Sequence, residues 1–328
     1  MSKPQLLTSQ EYLQDLTVLV DNASKHIYGL TLIITDDAVT HDLILALEKA
    51  AKRGVRVTIA IDAFTYSELG GYFSPLKYKK AASVATLSMA KRLKHAGVHF
   101  TTLSNSSKIN PFSGVTHIKW FVVDDSVYCF GGTNLYAKGI KHSDYMFKIV
   151  DSTLAQKIIA QQQLILEADS KNAPYRGYSS ETPYGILLVD SGKKHQSIIY
   201  DRACSLAMEA KEIIYVSQYC PSGVLAKHIK NTDTKMYFNR PDLANFYNGL
   251  LIRSTILRTK LKTRYKKDIY IHAKFIIFTM HNGDKIALTG SHNFAYSGVA
   301  LGTKEVALET KNHAIIKQLE QFFQDKIV

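Results

Sequence analysis

Two stretches of the sequence carry residue types at a spacing that could transfer a phosphoryl group. The first reads His117-Ile118-Lys119, then Asp124, then Gly131-Gly132-Thr133-Asn134; the second reads His272-Ala273-Lys274, then Gly290-Ser291-His292-Asn293. On a strand, residues i and i+2 share a face, so each His and Lys point the same way. A phosphodiester is anionic and resists attack by nucleophiles. Two lysines facing it would neutralise the charge and stabilise the equatorial oxygens of the transition state. One neutral imidazole could attack phosphorus in line while the other, protonated, donates to the leaving oxygen. Two groups sharing one site titrate as a pair. The scheme calls for no cofactor and no metal.

For any one of the twelve histidines the ordinary reading is a hydrogen-bonded structural residue. The repeated pattern sets His117 and His272 apart. Each imidazole also needs an acceptor on its other nitrogen. Asp144, ten residues past Asn134, and Glu305, twelve past Asn293, occupy similar places for that role.

Each stretch reads as a hairpin. Asn282-Gly283 favours a two-residue turn, and counting outward sets Lys274 opposite Ser291 and His272 opposite Asn293. A turn centred on Asp125-Ser126 sets Lys119 opposite Gly132 and His117 opposite Asn134. On this reading Gly132 and Ser291 leave room for a substrate, while Asn134 and Asn293 offer donor and acceptor. His272 to Asn293 spans 21 positions (293 − 272) against 17 (134 − 117), so two residues are added per strand and the faces are kept. Asp124 lies five residues past Lys119, roughly 16 Å along a strand. It is therefore expected to brace the turn, and Thr279 at the matching place, with Asp284 beside its own turn, is expected to leave the site working.

The elements that must position these residues follow from periodicity. A helix over 12–26 and a strand over 27–34 precede a helix through Leu43, Leu47 and Ala50, with Asp36 and Asp37 as caps and Gly54 as its stop. With a strand over 55–61 this makes a β-α-β unit and implies parallel pairing. Residues 66–78 read as a loop, 81–93 as a helix closed by Gly97, 98–103 as a strand, and 104–114 as the loop into His117. A polar connection over 138–142, a strand over 145–150 and a helix over 154–168 follow. Residues 168–183 read as a linker, giving halves 1–170 and 171–328.

Ala210-Lys211-Glu212-Ile213-Ile214-Tyr215 echoes Ala23-Ser24-Lys25-His26-Ile27-Tyr28, and 224–229 mirrors the helix after Asp37. From this landmark to the motif His the first half takes 94 positions (117 − 23) and the second 62 (272 − 210). The material around 66–98 is thus expected to have no counterpart in the second half. Further on, Arg258, Lys260, Lys262, Arg264 and Lys266 alternate with Leu257, Thr259, Leu261, Thr263 and Tyr265. As a strand this is one basic face, read either as a solvated edge or as a collar that draws phosphates toward His272.

The chain of 328 residues has a net charge of +13 and three cysteines at no metal-like spacing. The charge favours anionic partners, and the cysteines suit a reducing compartment. No apolar run approaches the roughly 20 residues that span a bilayer, and no apolar signal segment follows Met1. These features read as a cytoplasmic protein that sits on a membrane surface.

The two stretches resemble the phospholipase D superfamily, whose signature His-x-Lys-x4-Asp-x6-Gly-(Gly/Ser)-x-Asn normally occurs twice. The first copy matches fully, and Lys52-Arg53-Gly54-Val55-Arg56-Val57 through Asp62, with Ala96-Gly97-Val98, is similar to the family's lead-in segments. The resemblance implies an α/β fold of two phospholipase D-like α-β-α sandwich halves forming a pseudo-dimer with the active site at their interface. It implies His117 as nucleophile, His272 as general acid, Glu305 supporting His117 and Asp144 supporting His272. Gly131-Gly132-Thr133-Asn134 together with Ser217-Gln218-Tyr219-Cys220-Pro221 is most similar to cardiolipin synthases and related phosphatidyltransferases, and Tyr219 is counted as a substrate-site candidate beside Gly132 and Ser291 of the hairpins and Arg258, Lys260, Lys262 and Arg264 of the basic run. Thr279 departs from the motif Asp, the arginine- or serine-rich tails are reduced, and Val115-Thr116 replaces a basic lead-in.

The expected function is a phosphatidyltransferase or phospholipase D that works on phospholipid at an anionic membrane surface through a covalent phosphohistidine. A family nuclease acting on nucleic acid is the alternative. A non-catalytic binding relative is opposed by retention of both His and Lys pairs. Both motifs lie in one chain, so no oligomer is required.

Overall fold

The computed structural model describes residues 3–72, 74, 76–104 and 113–328. Its first elements are β1 (Gln5–Thr8), α1 (Ser9–Asp21), β2 (His26–Thr31), α2 (His41–Lys52), β3 (Arg56–Asp62), α3 (Phe64–Gly70), α4 (Ala81–His95), β4 (His99–Leu103), β5 (Trp120–Val123), β6 (Ser126–Cys129), α5 (Ala137–Ile140), β7 (Tyr145–Val150) and α6 (Ser152–Ser170). Then come β8 (Tyr178–Thr182), β9 (Gly185–Val189), α7 (Ile198–Glu209), β10 (Ala210–Val216), α8 (Gly223–Lys230), β11 (Asp233–Tyr237), α9 (Phe246–Thr259), β12 (Phe275–Met280), β13 (Lys285–Gly290), α10 (Tyr296–Leu301), β14 (Val306–Thr310) and α11 (His313–Phe322).

The first sheet has the order β1-β7-β6-β5-β2-β3-β4. β2, β3 and β4 pair in parallel, as the β-α-β pattern predicts, and β5 and β6 join antiparallel. Alternation along β5 shows why helices cover both faces. Phe121 and Val123 enter a core with Leu16, Leu43, Leu47 and Leu93 of α1, α2 and α4. Trp120 faces the other way, where its indole N–H donates to Gln162 of α6 at 2.9 Å. The result is an α-β-α layering. Thr8 caps α1 through a reciprocal box with Glu11, and Gly54 and Gly97 take φ of 91° and 99° just past α2 and α4, where a side chain would be strained. Asp37 braces the turn before α2, accepting from the Val39 and Thr40 amides.

The second sheet has the order β11-β10-β12-β13-β14-β9-β8. On one face Ile213, Ile276, Phe278 and Leu288 pack with Leu206 of α7, Leu225 of α8 and Ile252 of α9. Phe275 on the other face meets Phe322 of α11.

Several expectations are corrected. Residues 66–78 are not a plain loop: α3 covers Phe64–Gly70 and a 3-10 turn covers Lys77–Lys79. Pro75 and residues 105–112 of the expected loop into His117 lie outside the described residues. The linker 168–183 contains β8, because Tyr178–Thr182 pairs with β9. The second half does not lack the counterpart of α4 and β4. After β11, helix α9 is followed by an extended segment whose Arg264 N–H donates to Met236 O at 2.8 Å, beside β11 as β4 lies beside β3. That segment holds the basic run, which is therefore not one strand. Arg258 ends on α9, Lys260 turns the chain at φ 57°, and only the stretch beyond it extends. The alternation survives there: Lys260, Lys262, Arg264 and Lys266 are exposed while Leu261 and Tyr265 are buried.

The hairpin registers also differ. In the first, Val123 pairs with Ser126 and Phe121 with Tyr128, so the turn is Asp124-Asp125. Phe130 follows at φ 64°, a left-handed residue that breaks the alternation before Gly131. In the second, Phe275 pairs with Thr289, and Gly290 N–H donates to Lys274 O, so Lys274 stands opposite Gly290. The loop is odd in length, His281-Asn282-Gly283, with Gly283 at φ 89°. A three-residue loop with a left-handed glycine moves the pairing one place from that of a two-residue turn. The strand lengths, six in β12 and β13 against four in β5 and β6, show the two added residues per strand.

The described chain forms two compact units, Met1–Cys129, Thr133–Lys141 and Met146–Tyr175 in one and Phe130–Gly132, His142–Tyr145 and Arg176–Val328 in the other. Two short pieces of the first motif region thus belong with the second unit.

Candidate active site

In the first unit, His117 and Lys119 immediately precede β5. Lys119 is 1% exposed, and its ammonium donates to the carbonyl of His117 at 2.7 Å. Asp62, at the end of β3, is buried and accepts from the Thr116 amide at 2.7 Å and from Phe64 N–H at 2.8 Å. The residue before the motif His is thereby tied to the sheet. Asn134 is placed by the bridge between Ile34 and Leu135, and Asp37 holds the Ala137 amide beyond it at 2.6 Å. The Asn134 Oδ1 is buried with no hydrogen-bond partner. A buried amide oxygen in that condition needs an explanation, and a bound ligand is one.

Asp124 sits away from this group. Its carboxylate accepts from the Lys25, His26 and Ser24 amides at 2.9–3.0 Å and from the Ser24 hydroxyl. Desolvation opposes charge there, but those donors hold the carboxyl below the usual range. Its bonds tie the hairpin turn to the start of β2. Thr279, the residue in its place in the second motif, lies within β12 opposite Lys285 and Glu212. Asp284 instead organises that turn, its N–H donating to Asn282 Oδ1 and its carboxylate accepting from Asn282 Nδ2. Thr279→Asp is expected to change turnover by less than about threefold, because the position lies five residues along the strand from Lys274, roughly 16 Å away; a tenfold gain in an otherwise unchanged fold would show that the motif carboxylate matters to the chemistry.

The second unit holds a denser cluster. His272 Nδ1 lies 2.7 Å from Asp144 Oδ2, and both side chains are nearly or fully buried. Lys274 Nζ lies 3.0 Å from the same Nδ1 and donates to the His272 carbonyl. One ring nitrogen can serve only one of them. The carboxylate is an acceptor, so Nδ1–H is donated to Asp144, which leaves Nε2 as the ring nitrogen free to exchange a proton with a substrate. Burial lowers the Lys274 ammonium to about 8, opposed by the negative charges of Asp144 and Glu305.

Gly132 and Ser291, expected to leave room for substrate, each contact one of the carboxylates. Gly132 N–H points at Asp144 Oδ1 at 3.3 Å, while the Ser291 hydroxyl donates to Glu305. A Cβ built on Gly132 would come within 2.8 Å of Asp144 Oδ2, of His272 O and of Lys274 Nζ. Gly132→Ala is therefore expected to push Lys274 and Asp144 aside and lower turnover about a hundredfold, read as kcat beside a thermal melt; an unchanged kcat would mean that the cluster yields without loss.

Asn293 repeats the feature of Asn134: its Oδ1 is buried without a partner, while its carbonyl accepts from Ser217 Oγ at 2.8 Å. Sequence reasoning missed Asn239 and Thr289. Fully buried Asn239 accepts from Ile271 N–H and donates to the Ile271 and Gln218 carbonyls, clamping the residue before His272. Thr289 lies 2.6 Å from the Tyr145 hydroxyl and donates to Phe130 O, linking the segments around Gly132 and Asp144 to β13. Nothing in the spacing of either marks it. Tyr219, by contrast, accepts from Gln218 Nε2 and walls an apolar cleft with Cys220, Leu251 and Tyr296. Arg258 also lines that cleft, whereas Lys260, Lys262 and Arg264 project from the extended segment. Among the described residues no group of three or more His, Cys, Asp or Glu could hold a metal ion.

Each His-x-Lys group thus combines a buried lysine that donates to the carbonyl of its own histidine with an asparagine whose amide oxygen is buried without a partner. The family model for cardiolipin synthase, phospholipase D-like domain, matches residues 16–165 and 208–327, and the chain belongs to that family. Its fold is similar to the crystal structure of phosphatidylserine synthase from Haemophilus influenzae Rd KW20, with a TM-score of 0.74 at 16% identity over 98% of this chain and 85% of that one. It is also similar to polyphosphate kinase from Porphyromonas gingivalis, with a TM-score of 0.60 at 11% identity over 97% of this chain and 49% of that one. No match was found among curated protein sequences.

Proposed function

We propose that this enzyme is a phosphatidyltransferase or phospholipase D that cleaves phospholipid phosphodiesters without a metal, with His117 and His272 acting on one phosphate. The observation that carries this reading is the Asp144–His272 contact beside buried Lys274. In the first step a lone pair of His117 forms a bond to phosphorus, the P–O bond of the headgroup alcohol breaks, and His272 gives its proton to the departing oxygen. In the second, His272 takes a proton from water or an alcohol whose oxygen displaces His117. Lys119 and Lys274 hold the anionic oxygens, and Asn134 and Asn293 offer their amides to the same group. Asp144 keeps His272 oriented, and Glu305 does so for His117.

Membership in the cardiolipin synthase family and the likeness to a phosphatidylserine synthase support lipid as substrate. Among the described residues no helix is long and apolar enough to cross a membrane, so contact with lipid is proposed to be at its surface. The exposed basic segment suits a nucleic-acid backbone equally well and keeps the nuclease as second reading. Phosphatidylglycerol vesicles incubated with the enzyme should yield cardiolipin by transfer or phosphatidic acid by hydrolysis. Release of nucleotides from DNA with no lipid product would put the nuclease in its place.

A further inference from the structure

We propose that α9 and the basic segment after it dock this chain on the headgroup layer of an anionic phospholipid bilayer. Phe246, Leu250 and Leu257 lie at helical spacings of four and seven (250 − 246, 257 − 250) and share one face, with 73%, 50% and 73% of their surfaces exposed. Tyr247 beside them is 45% exposed. The opposite face is anchored, since Ile252 belongs to the second core and Thr255 is buried. The start of the helix is fixed as well, with the Asn245 side chain accepting from the Asn248 amide at 2.9 Å. Four large apolar side chains held rigidly in water lack a reason within this chain.

The charges around them select the occupant. Arg253 sits between Leu250 and Leu257, and exposed Arg258, Lys260, Lys262, Arg264 and Lys266 follow. Nucleic acid would meet the cations and leave the apolar face wet. A second copy would bring the same cations and the same net charge of +13 against them. An anionic bilayer meets both, with acyl boundary for the apolar side chains and headgroups for the cations. At 14 residues the helix is about 21 Å long, too short to cross the hydrocarbon core, so it lies in the plane. Its flank, through Leu251, Ile252 and Thr255, also walls the apolar cleft of about 360 Å³ that contains Tyr219. The helix that meets the lipid therefore borders an apolar recess.

The inference rests on the phospholipid reading of the site, and its test is separable from that reading. The full chain is sedimented with phosphatidylcholine vesicles and with vesicles of equal phosphatidylcholine and phosphatidylglycerol. Two variants, Phe246→Ser/Leu250→Ser/Leu257→Ser and Arg253→Glu, are compared after circular dichroism shows that they are folded. Wild type is expected to bind the anionic vesicles alone. The triple variant should lose about thirtyfold in partition, and the charge reversal about twenty-fivefold, while turnover of detergent-dispersed phosphatidylglycerol is kept. Variants that bind like wild type, or a wild type that ignores anionic vesicles, would overturn the docking helix. So would a wild-type dimer that the triple variant converts to monomer with vesicle binding unchanged. Expected binding with no lipid turned over by any form would support the docking helix and remove the lipid-cleaving function.

Discussion

His117→Asn is expected to leave no measurable phosphodiester cleavage, whereas His272→Asn should still cleave a substrate whose leaving group is an acidic phenol. The two histidines look alike in sequence, yet they have different tasks in the proposed mechanism. Removing a nucleophile removes the pathway for every leaving group. Removing a general acid costs about 10²- to 10⁴-fold where the leaving oxygen needs a proton and little where it departs as a stable anion. Asp144 on His272 Nδ1 suits the acid, because a carboxylate there favours the imidazolium form. Rates on an alkyl and a nitrophenyl phosphodiester check this. Equal losses in both variants on both substrates would mean that the roles are not divided as proposed.

The second large effect concerns Lys274. Its ammonium is fully buried and lowered to about 8, so cleavage is expected to fall as pH rises through that value. Stability should move the other way. The folded value lies below the ordinary lysine value, so the unfolded chain binds more protons between about 8 and the usual lysine range, and folding is favoured as pH rises across that window. An alkaline loss of activity without a loss in melting temperature is thus the signature, and it separates titration from unfolding. Lys274→Met should lower turnover about 10²- to 10³-fold by removing charge from the transition state and flatten the limb above 8. A full alkaline limb persisting in that variant would assign it to another group.

The parts that were readable in the sequence were those encoded by local spacing. Two His-x-Lys groups, the β-α-β start and the two residues added to each strand of the second hairpin follow from periods of two and 3.6. Cross-strand pairing did not, because it depends on backbone conformations that residue types only hint at. The turn at Asp124-Asp125, one place earlier than expected and with Asp124 at a positive φ, and the odd loop around Asn282 each shifted a register, and Phe130 at a positive φ then broke the alternation before Gly131. Gly132 shows the consequence: its lack of a side chain makes room for Lys274 and Asp144, a contact that residue type alone does not reveal. The basic run departs from a single strand for a related reason. Alternation places Leu261 and Tyr265 inward whether or not a full ladder forms, and Arg258 is claimed by α9 before the alternation begins. Asn239 and Thr289 were invisible because each acts on residues far off in sequence, through contacts that only the folded sheet creates.

The covalent step is the centre of this account, and trapping it is the most direct measurement. A phosphatidyl nitrophenol carrying labelled phosphorus, whose leaving group departs without a proton, is mixed with the His272→Asn variant and with wild type, quenched in alkaline detergent to preserve a phosphoramidate, and the label is located by peptide mass analysis. Label on the peptide containing His117, absent from His117→Asn, is the predicted result. Turnover of the lipid with no labelled histidine, or with the label on His272, would contradict it.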